Sequence, residues 1–336
     1  YEALRLRYLE AERVLGVAGA DDCDPTAPPR RAGYPQGLPE LSPTSRMIAG
    51  AAERLGLTPH RLPLAINYAD ADGLPACVRC DTCDTFACAI EAKNDLAARV
   101  IPRLLEAGME LRPRTAALEL EAADGAVRAV RARDLETGEE LRVTADRFVL
   151  AAGALGTPQL LLASGLRGAN PAGHAVGRRL MRHCASIVFG LYPGLPDGGE
   201  RFHKQVGVND FYFGDDAPGA PAGKLGNIQQ IQSPSIGSVR SELPRPLPEL
   251  IAPLLRRATG LLVLAEDRPR YGNRVLLSSD ERDPFGLPRT VIRHEYDSRD
   301  LAARAALVRR ARQIHREAGA LLTYEHRIHT FSHALG

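Results

Sequence analysis

The sequence predicts a chain of α/β plus α+β class, in which a strand–glycine–helix layer stands beside a separate, mostly antiparallel sheet. Three observations predict it. Residues 148–152 (Phe148, Val149, Leu150, Ala151, Ala152) are continuously apolar and lead through Gly153 into a helical stretch, as a strand covered on both faces would. Residues 109–144 alternate around Asp124-Gly125 and Glu136-Thr137-Gly138, which suits a three-stranded meander. Residues 184–297 alternate short β-prone runs with Gly/Pro loops, which suits an antiparallel sheet.

Taken in order, residues 1–15 place Leu4, Tyr8, Leu9 and Val14 on one helical face, and residues 19–41 form a Gly-, Pro- and Asp-rich loop. Ser42-Pro43 supplies a cap and a first-turn proline, so a helix runs from there to Gly56. Residues 57–90 are irregular. Asn94 or Asp95 caps a helix reaching Gly108, with Pro102 as a kink. Strands are expected at 110–120, 126–133 and 140–144. In the following territory they are expected at 185–192, 203–213, 225–232, 260–266, 273–278, 289–296 and 320–329. A helix at 248–257 interrupts them. A longer one carries Leu301, Ala305, Val308, Ala311, Ile314 and Ala318 on one face and stops at Gly319.

The 336 residues suffice for roughly two domains. A hydrophobic fraction of 44% excludes wholesale disorder, and no apolar run approaches the roughly 18 residues of a membrane helix. The net charge of +2, from 43 basic and 41 acidic residues, gives no footprint for nucleic acid or an anionic membrane. Tyr1 opens directly into helix-like sequence and the chain stops at His333-Ala334-Leu335-Gly336, so a partial sequence is expected.

The stretch 146–166 is the most informative. Ala151, Ala152 and Gly153 carry almost no side chain, Thr157 fits an N-cap, Pro158 fits the first helical position, and Gly165 stops the helix. A helix start behind such a turn offers free N–H groups to a phosphate, although an ordinary strand-to-helix connection has the same geometry. The literal string Gly153-Ala154-x-x-Thr157-Pro158-x-x-Leu161-Leu162-x-Ser164-Gly165-Leu166 resembles the second signature of the glucose–methanol–choline (GMC) flavoprotein oxidoreductases. Other strings resemble that family in the same order. They are Tyr8-x-x-Ala11-Glu12-x-x-Leu15-Gly16-Val17, Ala92-Lys93-Asn94-Asp95, and Val176-Gly177-Arg178-Arg179-Leu180-Met181-x-His183 with Arg179 where Asn is usual. Glu266-Asp267-x-Pro269-x-x-x-Asn273-Arg274-Val275 and His333-x-x-Gly336 complete the set.

The resemblance implies an incomplete FAD/NAD(P)-binding (Rossmann-like) domain with an antiparallel-sheet substrate domain. Residues 1–85 become a cap or connecting segment with a Cys-rich loop, and 86–183 the middle of the FAD domain. Residues 184–325 become the substrate domain, and 326–336 the return to the FAD domain. It implies FAD held near Ala117, Ala151, Ala152, Gly153 and Thr157, and hydride transfer from a CH–OH group of an alcohol or sugar-like substrate. His333 would take the hydroxyl proton, with His329 as its competitor. The sequence departs from the family in lacking GxGxxG and the closing segment that supplies a second catalytic residue, so this piece alone is expected to bind FAD poorly.

Cys77-x2-Cys80-x2-Cys83-x4-Cys88 puts four of the six Cys close together. Such thiols can ligate zinc or an iron–sulfur cluster, or can be a buried loop or disulfides. The spacing is not that of a zinc ribbon, and Asp81 and Asp84 would work against thiolate formation. Some members of the resembled family that pass electrons to a cytochrome carry a three-iron cluster near this region. A cluster here would imply an electron-acceptor protein as partner. Two alternatives stay open: a Cys-centred metal-binding or interaction module, and an inactive truncated relative. Residues 208–213 read either as an aromatic substrate wall or as an alternating strand. Arg178, Arg179 and Arg182 read either as pyrophosphate ligands or as solvated charge.

Overall fold

The computed structural model describes all residues except 1–2, 22–23, 71–72, 81–82, 84–86, 196–201, 203, 234, 331–332 and the side chain of residue 242. The chain divides into two compact units, each assembled from three segments. The first is Tyr1–Met109, Cys184–Glu266 and Leu301–Ile328; the second is Glu110–His183, Asp267–Asp300 and His329–Gly336.

The first unit is built on a six-stranded sheet. Its spatial order is Pro59–Arg61, Val206–Val208, Gly226–Ile231, Ala258–Ala265, Cys184–Leu191 and Leu322–Arg327, with every neighbouring pair antiparallel. The helix Pro43–Arg54 begins as its sequence dictates. The Ser42 hydroxyl accepts the Ser45 amide hydrogen, and Pro43 occupies the first turn, where no N–H is needed. It buries Ile48, Ala49, Ala51 and Ala52.

The helix Ser298–Glu317 buries Ala303, Ala306, Leu307, Val308, Ala311, Ile314 and His315. Its inner face is therefore rotated from the expected one: Leu301 is 40% exposed and Ala305 faces solvent. The cause is His315. Its Nδ1 pairs with the Tyr192 hydroxyl at 2.8 Å and its Nε2 with the Val188 carbonyl at 2.8 Å, so a polar residue takes a core position. Gly190 makes the room, since a Cβ there would lie 2.4 Å from His315 Nδ1.

The second unit carries the meander Thr115–Ala123, Ala126–Asp134 and Glu140–Thr144. Asp124 (φ 52°) and Gly125 (φ 74°) form its first turn in the left-handed region, as the Asp-Gly pair requires. A two-stranded ribbon, Arg274–Arg282 with Pro288–Arg293, and the helix Gly153–Ala163 complete it. The Ser164 hydroxyl accepts the Leu120 amide hydrogen and donates to the Leu160 carbonyl, and Gln159 Nε2 donates to Asp283 and to the Pro288 carbonyl. The helix is thereby tied to both sheets.

Several expectations are corrected. Residues 148–152 form no strand, and Val149 is 89% exposed, because no strand among the described residues pairs with them. Apolarity signals a wish for cover and cannot supply the partner. Residues 86–109, expected in the nucleotide domain, belong to the first unit, where the Ala92 carbonyl accepts from the Asn67 amide and the Asn94 amide donates to the Ala65 carbonyl. Residues 267–300, expected in the antiparallel domain, belong to the second, because Val275 and Leu180 donate backbone bonds to Gly177 and Asn273. Beyond Val208 the expected strand to 213 gives way to a turn: Asn209 Nδ2 bonds Asp24, and Asp210 accepts from the Thr58 amide. The helix 94–108 is two helices, Leu96–Arg99 and Ile101–Glu106, broken ahead of Pro102.

Candidate active site

The second unit holds a cleft of about 650 Å³. One wall is the turn into the helix Gly153–Ala163: Leu150, Ala151, Gly153, Ala154, Thr157 and Pro158. The other is Ala172, Ala175, Val176, Gly177, Arg178 and Leu180, and Ala334, Leu335 and Gly336 also line it. The small residues that the sequence marks therefore do leave near-bare backbone around a concavity. Gly177 (φ 73°) has to be glycine, because a Cβ would sit 2.8 Å from the Val275 carbonyl oxygen.

The helix starts five residues earlier than Thr157 would place it. Thr157 is no N-cap: its hydroxyl accepts the Ala152 amide hydrogen across the turn at 3.0 Å, and Pro158 lies inside the helix. A Thr-Pro pair has the chemistry of a helix start, but a hydroxyl that reaches back to the turn serves this bend as well. Of the residues expected near a cofactor, Ala151, Gly153 and Thr157 line the cleft, and Ala152 supplies the turn's bonded amide. Ala117 lies exposed on the strand Thr115–Ala123 and does not line it.

Residues 176–183 are a strained turn. Gly177, Arg179 (φ 61°) and His183 (φ 61°) are all left-handed. Arg179 replaces the Asn usual in the resembled motif, and Asn is the residue that tolerates this conformation best after glycine. The turn is clamped between two segments. Leu180 donates to the Asn273 carbonyl, while Met181 and Leu335 exchange both backbone hydrogen bonds at 2.8–2.9 Å. That exchange docks the segment bearing His333. The His333 ring lies against His183, centroids 5.7 Å apart and tilted 60°. Burial holds His183 below the ordinary imidazole value; the His333 ring adds to this and Asp267 opposes it. His329 is exposed, and its carbonyl accepts from Arg182 Nη1 at 2.7 Å.

The sequence reading missed Asp267 and His294. Asp267 Oδ2 meets His294 Nε2 at 2.8 Å and accepts the Arg182 amide hydrogen at 2.8 Å, with both side chains almost fully buried. The string around Asp267 is quoted above only for its resemblance, and pairing across distant segments leaves no mark in periodicity. Arg178 stacks over Tyr271 at 4.5 Å, and Arg182 reaches the carbonyls of residues 329 and 330, so neither is merely solvated charge.

In the first unit, Cys77, Cys83 and Cys88 are free thiols; Asp81, Asp84 and Cys23 lie outside the described residues. Burial raises the Cys77 thiol and pushes Cys83 up to about 11. Cys88 is lowered: burial opposes this, but the amides of Ile90, Lys93 and Ala92 and the Lys93 charge prevail. Among the described residues no three His, Cys, Asp or Glu converge to hold a metal ion. No helix among the described residues is long and apolar enough to cross a membrane.

Comparison with known proteins bears on the whole chain. The GMC oxidoreductase family matches residues 30–185. The chain is 31% identical over 325 residues to 6'''-hydroxyparomomycin C oxidase of Streptomyces lividus, covering 93% of this chain and 56% of that protein. It is 27% identical over 333 residues to the fructose dehydrogenase large subunit of Gluconobacter japonicus, covering 93% and 58%. Among solved structures it is similar to pyridoxine 4-oxidase from Mesorbium loti, with TM-score 0.51 and 20% identity over 82% of this chain and 52% of that one. The chain thus spans a little over half the length of the curated relatives it matches.

Proposed function

We propose that the chain belongs to the GMC oxidoreductase family and serves FAD-dependent oxidation of a CH–OH group on an alcohol or sugar-like substrate. The observation that carries this reading is the cleft shared by Gly153 and Thr157 with Ala334–Gly336, next to His333. Its walls suit a long, flat nucleotide: Ala151, Gly153, Ala154 and Gly177 expose backbone, and a Cβ at Gly177 would have no room. Ala151, Gly153, Thr157 and the start of the helix Gly153–Ala163 would hold that group, with Ala152 fixing their turn. A bound flavin supplies the hydride acceptor.

The protein's own part is proton handling and orientation. His333 is the base that takes the substrate hydroxyl proton at Nδ1 or Nε2, a transfer worth about 10²–10⁴-fold in rate. It is favoured over His329 because its ring faces a second imidazole and its neighbours line the cleft. The similarity to a 6'''-hydroxyparomomycin C oxidase and to a fructose dehydrogenase large subunit supports a polyhydroxylated substrate.

The test is the visible spectrum of the protein expressed from its complete reading frame, followed by anaerobic bleaching with a panel of sugars and alcohols. A flavin spectrum bleached by sugars supports the reading, and a colourless protein ends it. Iron and acid-labile sulfide in anaerobically purified protein would support a cluster on the thiols of residues 77–88 and, with it, an electron-acceptor protein; finding neither would end that part of the reading.

A further inference from the structure

We propose that His183 is a second imidazole of the reaction site, a positioning residue that sets the His333 ring and is itself held by a brace of Asp267, His294 and Tyr296. The inference rests on the reading of His333 given above and extends it to residues outside the resembled catalytic set.

The geometry is specific. His183 sits at φ 61°, a conformation that glycine or asparagine would adopt at lower cost. A turn alone has no need of an imidazole there. The backbone is held in that state from outside: the Tyr296 hydroxyl donates to the His183 carbonyl at 2.7 Å, and the Arg182 amide donates to Asp267. Tyr296 is packed edge-on by the His294 ring at 4.8 Å, and His294 is bonded to the same Asp267 oxygen. The brace also grips the other imidazole's segment, through Arg182 Nη1 on the His329 carbonyl. Both rings of the His183–His333 pair are thus located by one set of side chains.

Two further facts separate this from ordinary core packing. Asp267 Oδ1 is buried with no hydrogen-bond partner, so the carboxylate is not arranged for stability alone. Strained backbone that is over-determined by its surroundings collects at functional sites. The charged and titratable groups around His183 are His333 on the 329–336 segment, Asp267 and His294 from 267–300, and Arg182 in its own turn. Burial disfavours the charged form of His183, and a neutral ring there leaves His333 the better proton acceptor of the pair.

The test has two arms. In the full chain labelled with ¹⁵N-histidine, the His183 ring is titrated by NMR in the parent and in His333→Gln. Removing the neighbouring imidazole raises the His183 midpoint. This arm needs no flavin, so it stands or falls apart from the cofactor reading. In the holoenzyme, His183→Asn lowers kcat by about tenfold or more, leaves KM within about twofold, and moves the acidic limb of the pH–rate profile. His183→Phe keeps the ring volume and serves where the Asn variant does not fold. His174→Gln, at an exposed histidine, leaves all of these unchanged. A His183 midpoint that stays put in His333→Gln overturns the proposal. So does parental kcat and pH profile in the folded His183 variants.

Discussion

Gly153 and Ala334 stand on the walls of one cleft, although two of the three segments of the first unit are threaded between them in sequence. The glycine turns the chain into the helix, and the alanine follows His333 on a segment docked by the Met181–Leu335 backbone exchange. The bend and the imidazole are thereby brought to one place by hydrogen bonds of the second unit alone.

That docking runs through a turn with an unfavourable residue at its centre. Arg179→Asn places at φ 61° the side chain that best tolerates it. We expect the variant to be more stable by roughly 0.5–1 kcal/mol, a fraction of the cost of a left-handed L-residue. Urea unfolding at pH 7 checks this, and an unchanged or lower midpoint refutes it.

Gly177 and Gly125 share a positive φ (73° and 74°) but not their surroundings. At Gly125 an added methyl meets nothing within 4 Å, whereas at Gly177 it lies 2.8 Å from the Val275 carbonyl oxygen. Gly125→Ala is expected to cost about 1–2 kcal/mol from backbone strain. Gly177→Ala is expected to cost about 1–3 kcal/mol more from overpacking. Equal losses in thermal melts would remove the packing argument.

His315 is buried and its value is lowered to about 4 by burial, with the Val188 carbonyl opposing. In the folded state it is therefore neutral where the unfolded chain, near 6.5, already binds a proton. Its contribution is fully present above pH 6.5 and is lost as pH falls toward 4, on the order of 3 kcal/mol in all. His315→Gln should be less stable at pH 7 and should show a smaller stability difference between pH 7 and pH 4.5 than the parent. Parallel pH dependence in the two proteins would refute the assignment.

The loop thiols should react unequally. Cys88 is lowered, while Cys77 is raised and Cys83 is pushed up to about 11. Because the thiolate is the nucleophile, iodoacetamide at pH 7.5 should label Cys88 before Cys77 and Cys83. Peptide mass spectrometry over a time course reads the order, and preferential labelling of Cys83 would contradict it.

Local chemistry was legible where it is satisfied locally. Ser42-Pro43 starts a helix and Asp124-Gly125 makes a hairpin because each needs only its neighbours. The string 153–166 and the position of His333 were legible through resemblance, and the structure places Gly153, Thr157 and the residues after His333 around one cleft. What was not legible depends on distant partners. Residues 148–152 advertise a strand without naming its neighbour. The face of Ser298–Glu317 turns on a histidine that only Tyr192 and Val188 make tolerable in a core. Asp267 and His294 meet across a ribbon, and no spacing rule connects them.

The interleaving of the two units sets a timetable for biosynthesis. The cleft's first wall leaves the ribosome long before residues 334–336, and five of the six strands of the first unit's sheet must be made in between. Nascent chains that have passed position 183 therefore carry an open, unfinished site until residues 334–336 have been made. Shortening that segment by a few residues would strike the site itself while sparing the six-stranded sheet.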